Sequence, residues 1–175
     1  MRKLYFIAVV GCFFLLQHTA QSQNLVKANL LAPLLQTGSF YYERVIDDTK
    51  STQLGVFFTK FEELSGFGVT PEFRFYLSET PAPDGFYVAP FLGFMRFTVE
   101  DNEFESYKGT STNFGGGLVA GRQWIFKDRV SFDIFLGPEY TASSVSVESG
   151  NKGDIEDAAF SGWIGRGGIS LGLKF

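Results

Sequence analysis

The chain has 175 residues, with 15 Lys and Arg against 19 Asp and Glu, one Cys, one His, 20 Gly and 21 Phe. Its net charge of −4 argues against nucleic acid as a partner, because such binding needs a basic footprint. So much Gly and Phe suits strands with one face in lipid and the other in a crowded interior.

The first stretch reads as a processing segment. Arg2 and Lys3 precede an apolar run from Leu4 to Leu16, and Ala20-Gln21-Ser22 forms a small-x-small cleavage signal. A cleaved signal peptide over 1–22 is expected, leaving 23–175 as one domain. The apolar run falls short of the ~20 residues of a spanning helix, and no later stretch reaches that length. A mature chain that enters a membrane must therefore do so with strands. Val9-Val10-Gly11-Cys12 resembles a lipobox, but the apolar run continues through Phe13-Phe14-Leu15-Leu16, where a lipoprotein turns polar.

Cleavage after Ser22 removes Cys12 and His18 with the signal. Disulfides, zinc sites built on Cys or His, Ser-His-Asp triads and Cys nucleophiles are then excluded. Losing Arg2 and Lys3 from the 15 basic residues leaves 13 against 19 acidic ones, a net charge of −6. No catalytic residue, cofactor or metal site is expected.

Strand-like segments follow at 24–32, 37–46, 51–61, 67–77, 86–99, 110–126, 130–147 and 158–175. Polar or proline-punctuated turns separate several of them: Asp47 to Lys50, Ser78 to Gly85 and Lys127 to Arg129. No segment sustains a 3.6-residue period. The expected fold is all-β, a single eight-stranded antiparallel up-and-down transmembrane β-barrel. With the termini in the periplasm, those three turns are periplasmic. The acidic stretches Glu100 to Gly109 and Glu148 to Asp157 then face outward. Four strands in the second half exceed the ~9–11 residues that a membrane requires. The last two are expected to project as a polar-faced ribbon.

Side-chain parity assigns the faces. In 67–77, Phe67, Val69, Phe73, Phe75 and Leu77 share one face, and Gly68, Thr70, Glu72, Arg74 and Tyr76 share the other. In 130–140, Val130, Phe132, Ile134, Leu136 and Tyr140 alternate with Ser131, Asp133, Phe135, Gly137 and Glu139. The same rule turns Lys27, Glu43, Arg166 and Lys174 inward. Lys27, Arg74, Arg166 and Lys174 thus meet Glu43, Glu72, Asp133 and Glu139, an interior ion-pair network of four charges against four. An eight-stranded barrel is just wide enough for side chains to fill it, and charges buried there must pair. In 86–99 either face fits lipid, since Val88, Pro90, Leu92 and Phe94 compete with Tyr87, Ala89, Phe91 and Met95. In 110–126, Arg122 is placed outward, which is tolerable near an interface. Pro71, Pro90 and Pro138 lie inside strands, where each removes a ladder hydrogen bond.

The last segment, Gly168 to Phe175, alternates Ile169, Leu171, Leu173 and Phe175 with small or polar residues. It resembles the closing strand of outer-membrane barrels. That resemblance implies recognition by the barrel-assembly machinery through Leu171, Leu173 and Phe175. Val26-Lys27-Ala28-Asn29-Leu30-Leu31, Tyr42-Glu43, Pro71-Glu72-Phe73-Arg74-Phe75-Tyr76 and Leu171-Gly172-Leu173-Lys174-Phe175 stand in order along the chain. Together they resemble small Bacteroidetes-type outer-membrane β-barrel families of undescribed function. The resemblance implies a fold and a compartment, the outer membrane of a Gram-negative bacterium, and brings no catalytic residues.

Other motifs are weaker. Gly115-Gly116-Gly117-Leu118-Val119-Ala120 satisfies G-x-G-x-x-A, but a dinucleotide site needs a strand–turn–helix setting that is missing. A Gly-lined strand is the better reading. Glu72 and Arg74 fit a structural ion-pair network better than a proton or ligand site. The acidic loop residues Glu100, Asp101, Glu103, Glu105, Asp154, Glu156 and Asp157 lack EF-hand spacing and read as a solvated charge run. Trp124, Trp163, Tyr41, Tyr42, Tyr76, Tyr87 and Tyr140 divide between interface girdle and interior packing.

The leading functional expectation is a non-enzymatic outer-membrane protein with a packed interior, structural or surface-binding in role. Its partners would be outer-membrane lipid and a surface protein adding a strand to the ribbon edge. One alternative is a narrow pore or transporter for a small apolar ligand, opening near the Gly-rich stretches 115–117 and 165–168. Another is a soluble lipocalin-like periplasmic carrier, which would reverse the two faces.

Overall fold

Eight antiparallel strands close on themselves in sequence order, first to last, in the computed structural model of the chain, which describes residues 23–61, 64–101, 107–149 and 161–175. They are β1 (Asn24–Asn29), β2 (Thr37–Asp47), β3 (Lys50–Phe61), β4 (Leu64–Tyr76), β5 (Gly85–Asp101), β6 (Tyr107–Phe126), β7 (Val130–Ser149) and β8 (Gly162–Lys174). A short 3₁₀ helix, Ala32–Leu35, joins β1 to β2. Closure runs through β1 and β8, with Leu25 opposite Lys174 and Ala28 opposite Leu171. Backbone bonds between Asn24 and Phe175, at 3.0 and 2.9 Å, complete the seam. An uninterrupted ring leaves no sheet edge exposed along the wall.

Parity holds along every strand. Leu118, Leu136, Leu92 and Leu173 point outward, each more than half exposed, while Lys27, Glu43, Arg74, Gln123 and Asp133 are fully buried. The fully buried charges are inside, beside a few aromatic and small apolar residues, and the large exposed side chains outside are apolar. A lipocalin-like carrier requires the reverse, so that expectation fails on the orientation of the faces. The ambiguity of β5 is resolved as well: Phe86, Val88, Pro90 and Leu92 face out, and Tyr87, Ala89 and Phe91 face in. Among the aromatic residues left unassigned, Tyr41, Tyr76 and Tyr87 are interior and Tyr42, Tyr140 and Trp163 exterior. Trp124 packs against Phe132 at 5.8 Å between centroids. Arg122 lies outward over the Phe86 ring at 4.4 Å and that of Trp124 at 5.1 Å.

Large interior side chains sit opposite glycine on the neighbouring strand. Tyr41 faces Gly55, Tyr87 faces Gly121, Phe135 faces Gly168 and Lys27 faces Gly172. A Cβ at Gly121 would stand 2.6 Å from the Tyr87 ring, and one at Gly168 would stand 2.7 Å from Phe135. Alternating large and small groups is how a narrow barrel fills its bore without strain. The three internal prolines fall where a ladder skips pairs. Between β4 and β5 the pairing passes from Val69↔Phe94 to Glu72↔Phe91 and then to Phe75↔Val88, beside Pro71 and Pro90. Between β6 and β7 it passes from Gly117↔Glu139 to Ala120↔Leu136, beside Pro138.

The two ends differ. At the end carrying the termini the hairpins are tight. Lys127 and Asp128 both take positive φ, 52° and 55°, and the Arg129 N–H donates to Phe126 O at 3.1 Å. That is the primed turn whose twist suits paired strands. In the β2–β3 turn the Thr49 N–H and hydroxyl donate to Asp47 Oδ1, both at 2.8 Å. With help from Lys50 they hold the Asp47 carboxyl down at about 2. The Ser78–Gly85 segment is more than a turn. It folds across the mouth, buries Ala82 and Pro83, and ties the Ala82 N–H to Asp48 O at 2.8 Å.

At the other end β5, β6 and β7 extend to 17, 20 and 20 residues. Among the described residues, β5, β6 and β7 are the strands that run furthest at this end. β8 is described over 13 residues from Gly162; the start expected at 158 lies outside the described residues. The 1–22 segment and acidic residues Glu103, Glu105, Asp154, Glu156 and Asp157 lie outside the described residues.

Candidate functional site

The interior has two storeys. The lower one, nearer the termini, is a dense polar cluster. Lys27 Nζ donates to Glu43 Oε2 at 2.6 Å and Gln123 Oε1 at 2.7 Å, and lies 3.3 Å from Asp133 Oδ2. Arg74 Nε meets Glu72 Oε1 at 2.6 Å, and its Nη1 meets Asp133 Oδ2 at 2.9 Å and Glu43 Oε2 at 3.5 Å. The guanidinium also lies 4.2 Å from the centre of the Tyr87 ring. The second oxygens of Glu43 and Asp133 take hydroxyl donors: Tyr76 and Ser51 reach Glu43 Oε1 at 2.7 and 2.5 Å, and Tyr87 reaches Asp133 Oδ1 at 2.9 Å.

Gln123 binds this cluster to the stopper below. Its amide donates to Glu43 Oε2 at 3.1 Å and to Pro83 O at 2.9 Å. Gln53, at 3.4 Å from Glu72, extends the cluster toward β3. Charges taken out of water are tolerable only when geometry and added hydrogen bonds satisfy them, and most of these polar atoms are so satisfied. Ser51, Gln53 and Gln123 were not singled out from sequence; parity turned Tyr76 inward, and Tyr87 was left between the two faces of its strand. Their side-chain chemistry was the available signal, since each carries a donor on an inward position.

The eight charged residues expected as one network divide by height. Lys27, Glu43, Glu72, Arg74 and Asp133 form the lower cluster, two cations with three carboxylates. Lys174 is not in it: its Nζ lies at the termini-side mouth, 3.9 Å from exposed Asp128. Glu139 and Arg166 occupy the upper storey. Period-two reading gives the face of a residue but not its level along the axis, which depends on strand stagger.

The upper storey encloses a cavity of about 230 Å³ that opens away from the termini. Tyr41 and Phe135, ring to ring at 6.2 Å, lie at its base. Arg166 and Glu139 line it, with Asn29, Ser39 and Thr70, and with Leu31 and Leu35 of the β1–β2 connection at the rim. None of the five lower charged residues lines it. Gly93 and Gly167 line this cavity; the Gly115–Gly117 run does not, and it lies within β6, which leads into β7 and not a helix, so it is no dinucleotide fingerprint. Among the described residues no group of three or more His, Cys, Asp or Glu is placed to hold a metal ion.

Among solved structures the chain is similar to a major outer membrane protein from Thermus thermophilus. The identity is 13% and the TM-score 0.51, covering 89% of this chain and 100% of that one. It is also similar to the N-terminal β-barrel domain of Pseudomonas aeruginosa OprF, at 13% identity and TM-score 0.48 with the same coverage. At such identity the likeness to the Thermus protein shows the fold, a closed eight-stranded barrel. No curated protein sequence matches the chain. A match over residues 5–148, most of its length, shows that the chain belongs to the family described as protein of unknown function (DUF3575).

Proposed function

We propose that the chain is a non-enzymatic barrel of the Gram-negative outer membrane, closed to conduction, that serves as a structural or surface-binding element. The observation that carries this reading is the pairing of an apolar exterior with an interior filled by Lys27, Glu43, Glu72, Arg74 and Asp133. Hydrocarbon accepts a wall whose backbone bonds are all made internally. The lower cluster and the Ala82–Pro83 stopper occupy the bore that an ion would need.

Outer-membrane lipid is then the principal partner. Leu171, Leu173 and Phe175, all exposed on the outward face of the closing strand, are the signal offered to the barrel-assembly machinery. β7 runs on to Ser149 beyond its last described pairing with β8, Thr141↔Gly162. A surface protein adding a strand to the long ribbon is the second partner. Planar-bilayer recording of the purified protein tests the closed state. Insertion without a stable conducting level is expected. A stable open channel would instead favour the narrow-pore reading.

A further inference from the structure

We propose that the upper cavity binds a small zwitterion with an apolar body, its anionic group on Arg166 and its cationic group on Glu139. This rests on the closed barrel proposed above, whose upper cavity forms a cup open at one end, and adds the class of ligand.

Glu139 and Arg166 lie on adjacent strands. Gly137 is opposite Arg166 and Glu139 opposite Ile164, so the two charged residues are diagonal neighbours on the inner face. Long side chains at such positions are within reach of each other, and a purely structural pair would close into an ion pair. Here they are held apart. Arg166 leans to the far wall, where Nη1 donates to Thr70 Oγ1 at 3.3 Å and the guanidinium lies 4.4 Å from the centre of the Phe91 ring. Its Nε has no hydrogen-bond partner among the described residues.

Glu139 is 4% exposed, and its Oε1 likewise has no partner among the described residues. The carboxylate occupies a notch between Gly93 and Gly115, which face each other across β5 and β6. A Cβ would stand 2.6 Å from Oε1 if added to Gly115, and 3.1 Å away if added to Gly93. The sequence thus keeps two neighbouring positions bare beside a buried acid. An unpaired acid and an underused base in one low-dielectric space are both costly.

An anion alone would satisfy Arg166 and leave Glu139 unpaired; a cation alone would do the reverse. A molecule bearing both charges answers both groups with charge-assisted bonds. Tyr41, Phe57, Met95 and Phe135 supply apolar walls for its body. The volume of about 230 Å³ falls below the ~300–1,000 Å³ of sites for drug-sized ligands. That favours a molecule the size of an amino acid.

Calorimetry on the full chain in lipid nanodiscs tests this with L-phenylalanine, 3-phenylpropionate and phenethylamine as probes. L-Phenylalanine is expected to bind saturably, and each single-charge analogue to bind about tenfold more weakly or worse, the loss of one charge-assisted contact. Glu139→Gln should weaken L-phenylalanine similarly while leaving 3-phenylpropionate unchanged. Arg166→Gln should spare phenethylamine instead. Heat-modifiable gel migration checks that each variant is folded. If either variant fails to assemble, the three-probe comparison on the unsubstituted chain decides alone. No saturable L-phenylalanine binding at millimolar concentration, or equal binding of all three probes, would overturn the proposal. A barrel that conducts yet discriminates the probes would sink only the closed-barrel reading; a closed barrel indifferent to them would sink only this one.

Discussion

Lys27 is held at the centre of the bore by Glu43, Gln123 and Asp133, whose oxygens lie 2.6, 2.7 and 3.3 Å from its Nζ. Replacing it with Met removes the cation and leaves Glu43 and Asp133 short of a partner. Breaking one side of a buried pair costs about 3–5 kcal/mol, so Lys27→Met should lower the stability of the folded barrel by roughly that amount. Urea titration in lipid vesicles, read by intrinsic fluorescence, measures it; an unchanged midpoint would show that the cluster is not holding the interior together. How far these residues were legible in sequence follows from what alternation encodes. The inward direction of Lys27, Glu43, Glu72, Arg74 and Asp133 came from parity, because a one-residue slip would put charges into the apolar surface. Parity could not separate Glu139 and Arg166 from that group, nor hold Lys174 back at the mouth. Those distinctions are axial, and they arise from how neighbouring strands are staggered.

β7 shows the same logic over a whole strand. Val130, Phe132, Ile134, Leu136 and Tyr140 form its outer face, and Ser131, Asp133, Phe135, Glu139 and Thr141 its inner one. An outward Arg costs about 2–4 kcal/mol at mid-bilayer and roughly 0–1 kcal/mol near the interface. Leu136→Arg, well inside the strand, should therefore be much more destabilising than Val130→Arg beside the tight turn. Equal penalties in the same vesicle titration would remove the case for a lipid-facing β7. β5 was harder to read, because Tyr87, Ala89 and Phe91 are as apolar as the face opposite. Only the register with β6 shows which set faces in, with Tyr87 filling the space left by Gly121. The segment from Ser78 to Gly85 advertised a bend through Pro81, Pro83 and Gly85 but not its destination. Turn chemistry records local backbone geometry; that Pro83 O would accept from Gln123 is a tertiary fact.

For the whole molecule, closure and asymmetry together define what the barrel offers. The termini-side end is sealed by short hairpins, the stopper and the charged cluster. The opposite end carries the cup, the apolar Ala32–Leu35 connection and the long β5–β7 ribbon. The strand number and order were readable because eight apolar–polar alternations are punctuated by turn residues. The cup was not readable, since it reflects space left by Gly55 and Gly93 on two different strands. The most direct test of the account is an oxygen-accessibility scan with single spin labels at each position from 130 to 141, with the protein reconstituted in bilayers. It should alternate with a period of two, with strong oxygen collisions at even positions and weak ones at odd positions. A flat profile, or one in which a water-soluble relaxant rather than oxygen reaches the even positions, would contradict it.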